Sequence, residues 1–300
     1  MSWFESIILG LVQGLTEFLP ISSSAHLRLV AVAAGWDDPG AAFTAVSQIG
    51  TELAILIYFR KDIARIVTAW FRSLHDKEVR SQLEARMGWL VIIGTIPIVV
   101  LGVTFKDAIE GPFRDLRLIA LSFIVLGIAL GIADRLAAQA ENGGRHRAAK
   151  PRKTIEQLNT RDGILFGLWQ ALALIPGMSR SGVTMTGGLF LGYNREAAAR
   201  YSFLLAIPAV LGSGLYELGG IGGETGNVSW GPTIVATIVS FFVGYAVIAW
   251  FMSFISTRSF MPFVWYRIVV GVALLVLIWF GVLDPYAGEQ IGDTIGAETG

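Results

Sequence analysis

Two polar stretches interrupt apolar sequence and carry the residues whose types and spacing could do chemistry. They are Gln13-Gly14-Leu15-Thr16-Glu17-Phe18-Leu19-Pro20-Ile21-Ser22-Ser23-Ser24-Ala25-His26 and Pro176-Gly177-Met178-Ser179-Arg180-Ser181-Gly182-Val183-Thr184. Ionisable groups at membrane depth are costly, so their default reading is functional, and the Pro in each stretch breaks a helix that an ordinary span keeps whole. In the second stretch, Pro176-Gly177 ends one half-helix and Ser179-Arg180-Ser181 opens the next. A helix start offers free N–H groups and a positive dipole end; with Ser hydroxyls and a guanidinium beside it, the ligand it suits is an oxyanion. Arg is the side chain best matched to two phosphate oxygens at once, and it stays charged when desolvated. The bland alternative, Arg180 snorkelling to an interface, is not favoured by flanks that are neither interfacial nor charged.

The first stretch supplies complementary groups. Gln13 and Glu17 are four residues apart and share a helix face, with Glu17 one turn nearer the break. Ser22, Ser23 and Ser24 can cap and open a second half-helix, and His26, three residues after Ser23, can share its face. A hydroxyl, an imidazole and a carboxylate within one hairpin suit displacement at phosphorus, with Ser attacking and His or Glu moving protons, or direct activation of water. A diphosphate is usually presented as a magnesium or calcium complex, and Glu17 with Gln13 as a second oxygen donor suits one hard cation rather than a full protein cage. Glu52 and Gln48, in a third apolar stretch, either face this site or hydrogen-bond between helices.

The elements that must hold these groups lie in a bilayer. The chain is 54% hydrophobic and 15% charged, with a mean hydropathy of +0.61, too apolar for a soluble domain. Its zero net charge gives no sign of a nucleic-acid partner, and the absence of cysteine removes disulfides, thiolate nucleophiles and thiolate metal sites. The start, Met-Ser-Trp-Phe-Glu-Ser without a basic residue, does not read as a cleavable signal peptide. Nine Trp and eighteen Phe read as bilayer contact and packing, able to flank a long acyl chain.

Six stretches are apolar for long enough to cross: 42–59, 88–105, 117–134, 197–215, 231–253 and 263–282. Two more, 3–35 and 162–192, are too long for one span and are broken by Pro and a Ser cluster, so each reads as a re-entrant hairpin, the alternative being two short complete spans. Irregular backbone at membrane depth needs protein or a wet cavity around it, which predicts that the two breaks face each other inside the bundle. The links 60–87 and 135–161 hold seven Lys and Arg each and should be cytoplasmic; 216–230 and 106–116, with none and two, should lie outside. A shift of 157 places Gly10-Leu11-Val12-Gln13-Gly14-Leu15 on Gly167-Leu168-Trp169-Gln170-Ala171-Leu172, and Ser22 and Ser24 on Ser179 and Ser181. The expected fold is an all-α polytopic membrane protein, six transmembrane helices plus two re-entrant helical hairpins in an inverted repeat. The first repeat is 1–137, a basic linker is 138–160, and the second repeat with a short acidic tail is 161–300. That plan is common among transporters, so a transporter or flippase of lipid phosphate or a small anion is the rival class.

The two motifs, in this order and separation, resemble the undecaprenyl-diphosphate phosphatases of the bacitracin-resistance type, as do Tyr58-Phe59-Arg60-Lys61 and Tyr266-Arg267. The resemblance covers nearly the whole chain. It implies removal of the terminal phosphate from the C55 lipid diphosphate, recycling of the cell-wall carrier and bacitracin tolerance. It also implies a bacterial inner (plasma) membrane location, a site open to the outer face, a polyprenyl diphosphate and membrane lipid as partners, and a divalent cation, Mg or Ca, on Glu17 and Gln13. A homodimer is compatible with it. Glu17, Ser23, His26 and Arg180 are implicated as the catalytic set, with Ser22, Ser24, Ser179, Ser181 and Thr184 assigned to the substrate phosphates. Gln13 is permitted where the family has Glu or Gln but is no base; Ala25 stands where Gly is usual, a methyl that could narrow the turn before His26.

Overall fold

Helices, and among the described residues a single isolated bridge between Lys153 and Tyr193, make up the regular structure. A computed structural model describes residues 1–37, 40–105, 115–142, 151–220 and 229–287. Most of the 106–116 link, residues 143–150 of the linker, residues 221–228 and the tail from 288 onward lie outside the described residues.

The first polar stretch separates α1 (Trp3–Thr16) from α2 (Ser23–Ala34). Ser2 and Glu5 form a capping box at the start of α1, and Gly35, at φ +68°, ends α2 in the left-handed conformation. The second stretch separates α7 (Thr160–Ala171) from α8 (Arg180–Phe190), with a 3-10 turn over Leu172–Leu174 between them. At 1.5 Å per residue these four helices are roughly 16 to 21 Å long, short of the ~30 Å of a hydrocarbon core. The longer elements are α3 (Gly40–Tyr58), α5 (Leu83–Thr104), α6 (Leu116–Asn142), α9 (Arg195–Gly220), α10 (Trp230–Thr257) and α11 (Met261–Trp279). Five of them, α5, α6, α9, α10 and α11, are long and apolar enough to cross a membrane; the apolar part of α3, Phe43–Tyr58, is shorter. The protein is an all-α polytopic membrane protein.

One element was read only as a link. Residues 60–87 hold α4 (Arg60–Ser73), an amphipathic helix laid on α5. Trp70 of α4 packs edge-on to Trp89, and the Trp89 indole donates to Ser73 Oγ at 3.1 Å. The basic residues that orient the chain therefore sit partly on a helix face, where charge runs conceal an apolar stripe.

Helices exchange partners between the two halves. α1 lies on α10, while α7 lies on α5; α3 meets α10 and α9, and α6 meets α11. Both short helices approach through glycine. A Cβ on Gly10 would stand 2.6 Å from Ala236 O, and one on Gly167 would stand 2.4 Å from Gly94 O. Small residues that let backbones touch are how helices associate without a hydrophobic drive. Gly167→Val is expected to cost about 1–3 kcal/mol through overpacking, read as a lower melting temperature in detergent; an unchanged melt would mean α7 does not seat on α5.

Where the linker returns to the bundle, Lys153 donates from its backbone N–H to Gly192 O and from Nζ to Asp162 Oδ2, both close to 2.9 Å. Tyr193, which follows α8, donates to the same carboxylate at 2.7 Å. Burial, then that hydrogen bond, pushes its phenol above the ordinary range, so it remains a donor and closes the second hairpin.

Candidate active site

The two helix breaks meet. Ser181 Oγ, at the start of α8, donates to Leu19 O in the first break at 3.0 Å, and Ser179 Oγ lies 3.5 Å from the same carbonyl. Each break turns on a serine with positive φ: Ser22 at φ 72° and Ser179 at φ 68°, the two non-glycine residues of this kind among the described residues. They are 157 apart, the shift already visible in sequence. Backbone held this way costs of order 1–3 kcal/mol, and it persists only where surrounding contacts over-determine it.

Those contacts can be named. Arg267 of α11 is fully buried and donates to four backbone carbonyls: Pro20 (3.1 Å), Gly177 (2.8 Å), Ser122 (3.0 Å) and Phe123 (3.2 Å). Pro20 belongs to the first break and Gly177 to the second, so one guanidinium binds both tips to α6. Gly177 needs to be glycine, at φ +84° with Ile119 O only 2.9 Å from where a Cβ would be.

Glu17 is the convergence point. Gln13 Nε2 donates to Glu17 Oε2 at 2.8 Å, as helical spacing requires, and Ser23 Oγ donates to the same oxygen at 2.6 Å. From the other hairpin, Arg180 Nη2 donates to Glu17 Oε1 at 2.7 Å. Both charged side chains are largely shielded, 15% exposed for Arg180 and 5% for Glu17, so the pair is held in a low-dielectric setting where its charge acts strongly on an incoming group. The side chain of Ser22 does not cap α2, leaving first-turn N–H groups beside Ser23 for an anion. Ser24 is exposed, with Oγ 3.5 Å from Ser22 Oγ. At α8, Ser179 Oγ caps by accepting from Gly182 N at 3.2 Å.

Two expected site residues are placed differently from their expected roles. His26 does not hydrogen-bond Ser23 or Glu17: Nδ1 meets Ser22 O at 2.7 Å and Nε2 meets Tyr266 Oη at 2.6 Å. One helical turn brings the ring back onto the carbonyl of residue 22, so the imidazole holds the strained backbone that aims Ser23. Thr184 lies one turn behind the break, fully buried, donating to Arg180 O at 2.7 Å and pairing with Ser202 of α9. Those two bonds tie α8 internally and to α9. Ala25 is buried in an apolar cluster with Leu116, Ile119 and Phe123.

Among the described residues no three His, Asp or Glu gather into a metal cage. Oxygen donors suited to a hard cation are nonetheless present. Gln13 Oε1 and both carboxylate oxygens of Glu52 are buried with no hydrogen-bond partner, and Glu17 lies beside Gln13.

Residues 6–273 match the family model described as bacitracin resistance protein BacA. The chain belongs to this family. It is 68% identical over 292 residues to the protein named undecaprenyl-diphosphatase 2 of Streptomyces avermitilis, covering 97% of this chain and 100% of that one. The undecaprenyl-diphosphatase of Streptomyces griseus subsp. griseus is 71% identical with the same coverage. The undecaprenyl-diphosphatase 2 of Agrobacterium fabrum is 55% identical over 285 residues, 95% of this chain and 98% of that one.

Within this BacA chain the structure brings Gln13, Glu17, Ser23, Ser179, Arg180 and Ser181 to one place and sets His26 and Thr184 just behind it. Arg267 and Tyr266 were read only as part of a resemblance. Arg267 had its own signal, an arginine inside the apolar run 263–282, where the rule that singled out Glu17 and Arg180 applies equally. Tyr266 had none, since an aromatic in a membrane helix is ordinary.

Proposed function

We propose that the chain hydrolyses undecaprenyl diphosphate to undecaprenyl phosphate and inorganic phosphate, recycling the cell-wall lipid carrier and conferring bacitracin resistance. One observation carries the reading. The Ser23 hydroxyl and the Arg180 guanidinium, from different hairpins, both end on Glu17, at 2.6 and 2.7 Å, beside two helix N-termini. This is a nucleophile, a proton acceptor and an anion clamp in one place, and the names of the relatives supply the substrate. The location proposed is the bacterial plasma membrane, with the basic links 60–87 and 135–161 cytoplasmic and the site open outward.

Arg180 and the α2 N-terminus hold the terminal phosphate. Ser23 Oγ attacks its phosphorus as the bond to the bridging oxygen breaks; undecaprenyl phosphate departs and the hydroxyl proton passes to Glu17 Oε2. Water then attacks the phosphoserine, releasing inorganic phosphate and restoring Ser23. A divalent cation, Mg2+ or Ca2+, on Glu17 and Gln13 supplies charge neutralisation of the diphosphate when bound. His26 acts here through Ser22, as a positioning residue.

Purified protein in detergent should release phosphate with Mg2+ or Ca2+ and lose that release in EDTA. Silence from folded protein under every cation rejects the proposal. Ser23→Ala should lose about 10²-fold or more of the rate; a variant retaining most activity assigns the attack to water instead.

The duplicated plan, 1–137 and 161–300 around a linker, is supported by the matched strained serines, the matched glycine contacts and the exchange of α1 and α7 onto α10 and α5. The same interleaving favours a second reading, a lipid-phosphate transporter with its site at the midplane. Movement of a labelled lipid phosphate across vesicles without phosphate release would select it.

A further inference from the structure

Glu52 has no role in the chemistry above, yet its setting is unusual. It lies on α3, 2% exposed, with both carboxylate oxygens buried and without a hydrogen-bond partner. Oε1 stands 3.6 Å from Arg180 Nη2, the same nitrogen that is 2.7 Å from Glu17 Oε1. Arg180 gives its hydrogen bond to Glu17, so Glu52 feels the guanidinium without being satisfied by it. Gln13 adds a third oxygen: with Nε2 turned to Glu17, its Oε1 is left buried and donorless.

A buried carboxylate without donors is among the most costly groups a protein can hold, and it is relieved either by taking up a proton or by a cation that completes it. Two carboxyl groups share one guanidinium, which hydrogen-bonds only Glu17. An interhelical hydrogen bond, the structural reason for an acid on α3, is absent at both Glu52 oxygens. We propose that Glu52 is a ligand of the divalent cation that presents the lipid diphosphate, sharing it with Gln13 Oε1 and Glu17. The proposal rests on the cation-dependent reading above and adds a residue from a third helix to it. All the donors are oxygen, as a hard cation requires, and two carboxylates with substrate phosphate oxygens match the way Mg2+ is usually held.

The test uses the whole protein in detergent and two readouts: phosphate release against free Mg2+, and the melting-temperature shift produced by Ca2+ alone. Glu52→Gln keeps the shape and removes the charge. It is expected to raise the half-saturating Mg2+ concentration by about 10- to 100-fold and to lose the Ca2+ shift. Adding Gln13→Glu should restore both, because the charge returns to the same cluster from α1. Unchanged Mg2+ dependence and Ca2+ shift in Glu52→Gln would overturn the proposal. So would a fall in rate that is equal at every Mg2+ concentration and unrelieved by Gln13→Glu, since Glu52 would then only support Arg180. Wild-type release undiminished in EDTA would also overturn it. Wild-type protein that releases nothing, yet shows a Ca2+ shift lost in Glu52→Gln, would retain the cation site and remove the phosphatase reading instead.

Discussion

Arg180→Gln should abolish phosphate release from undecaprenyl diphosphate, a loss of about 10³-fold or more, in protein that still elutes as a folded species. The magnitude follows from what the guanidinium does. In the proposed mechanism it supplies two planar donors and a full charge to the terminal phosphate, from a position largely shielded from water. Gln is the informative replacement because it removes the charge while keeping a polar, hydrogen-bonding side chain at this position. Arg180→Lys keeps the charge but cannot grip Glu17 and a phosphate through one planar fork, so an intermediate loss is expected. Near-normal turnover by a well-folded Gln variant would sink the assignment of Arg180 as the anion clamp. Helical content by circular dichroism separates lost chemistry from lost structure, because Glu17 and Glu52 lose the guanidinium they share.

The second large effect is expected at Arg267 and is structural first. Its four donated hydrogen bonds connect Pro20, Gly177, Ser122 and Phe123, and Arg267 makes them from a fully buried position. Arg267→Met leaves buried carbonyls unsatisfied at both tips, a destabilisation on the order of 3 kcal/mol or more. The melting temperature in detergent and the activity should fall together. Arg267→Lys, with three donors on a single nitrogen, should recover part of the stability and less of the activity, since the two tips are no longer set by one plane. If Arg267→Met melts and turns over like the parent protein, the tips are held by the hairpins themselves and the clamp is incidental.

His26 and Thr184 show where reading from motifs stopped. Both sit in the right stretch, and helical spacing allows each to share a face with a reactive neighbour. Spacing gives direction around a helix but not the partner that a side chain finds. His26 faces Tyr266, 240 positions away, and Thr184 faces Ser202 of the next helix. Glu52 is the converse case: the sequence left open whether it faces the site or hydrogen-bonds between helices, and both of its oxygens are buried without a donor.

Much of the architecture was legible because a bilayer imposes simple rules. Apolar run length marks the long helices, and Pro with a Ser cluster marks each break. The chemical class was legible too, since an arginine and serines at a helix start suit a phosphate. Only the tertiary structure decided the rest. That Arg180 joins Ser23 on Glu17 and that one guanidinium from α11 ties both tips depend on contacts between residues far apart in the chain. Local sequence dictates backbone conformation within a few residues, whereas a site built from four helices is set by how their faces pack, and no single stretch encodes that.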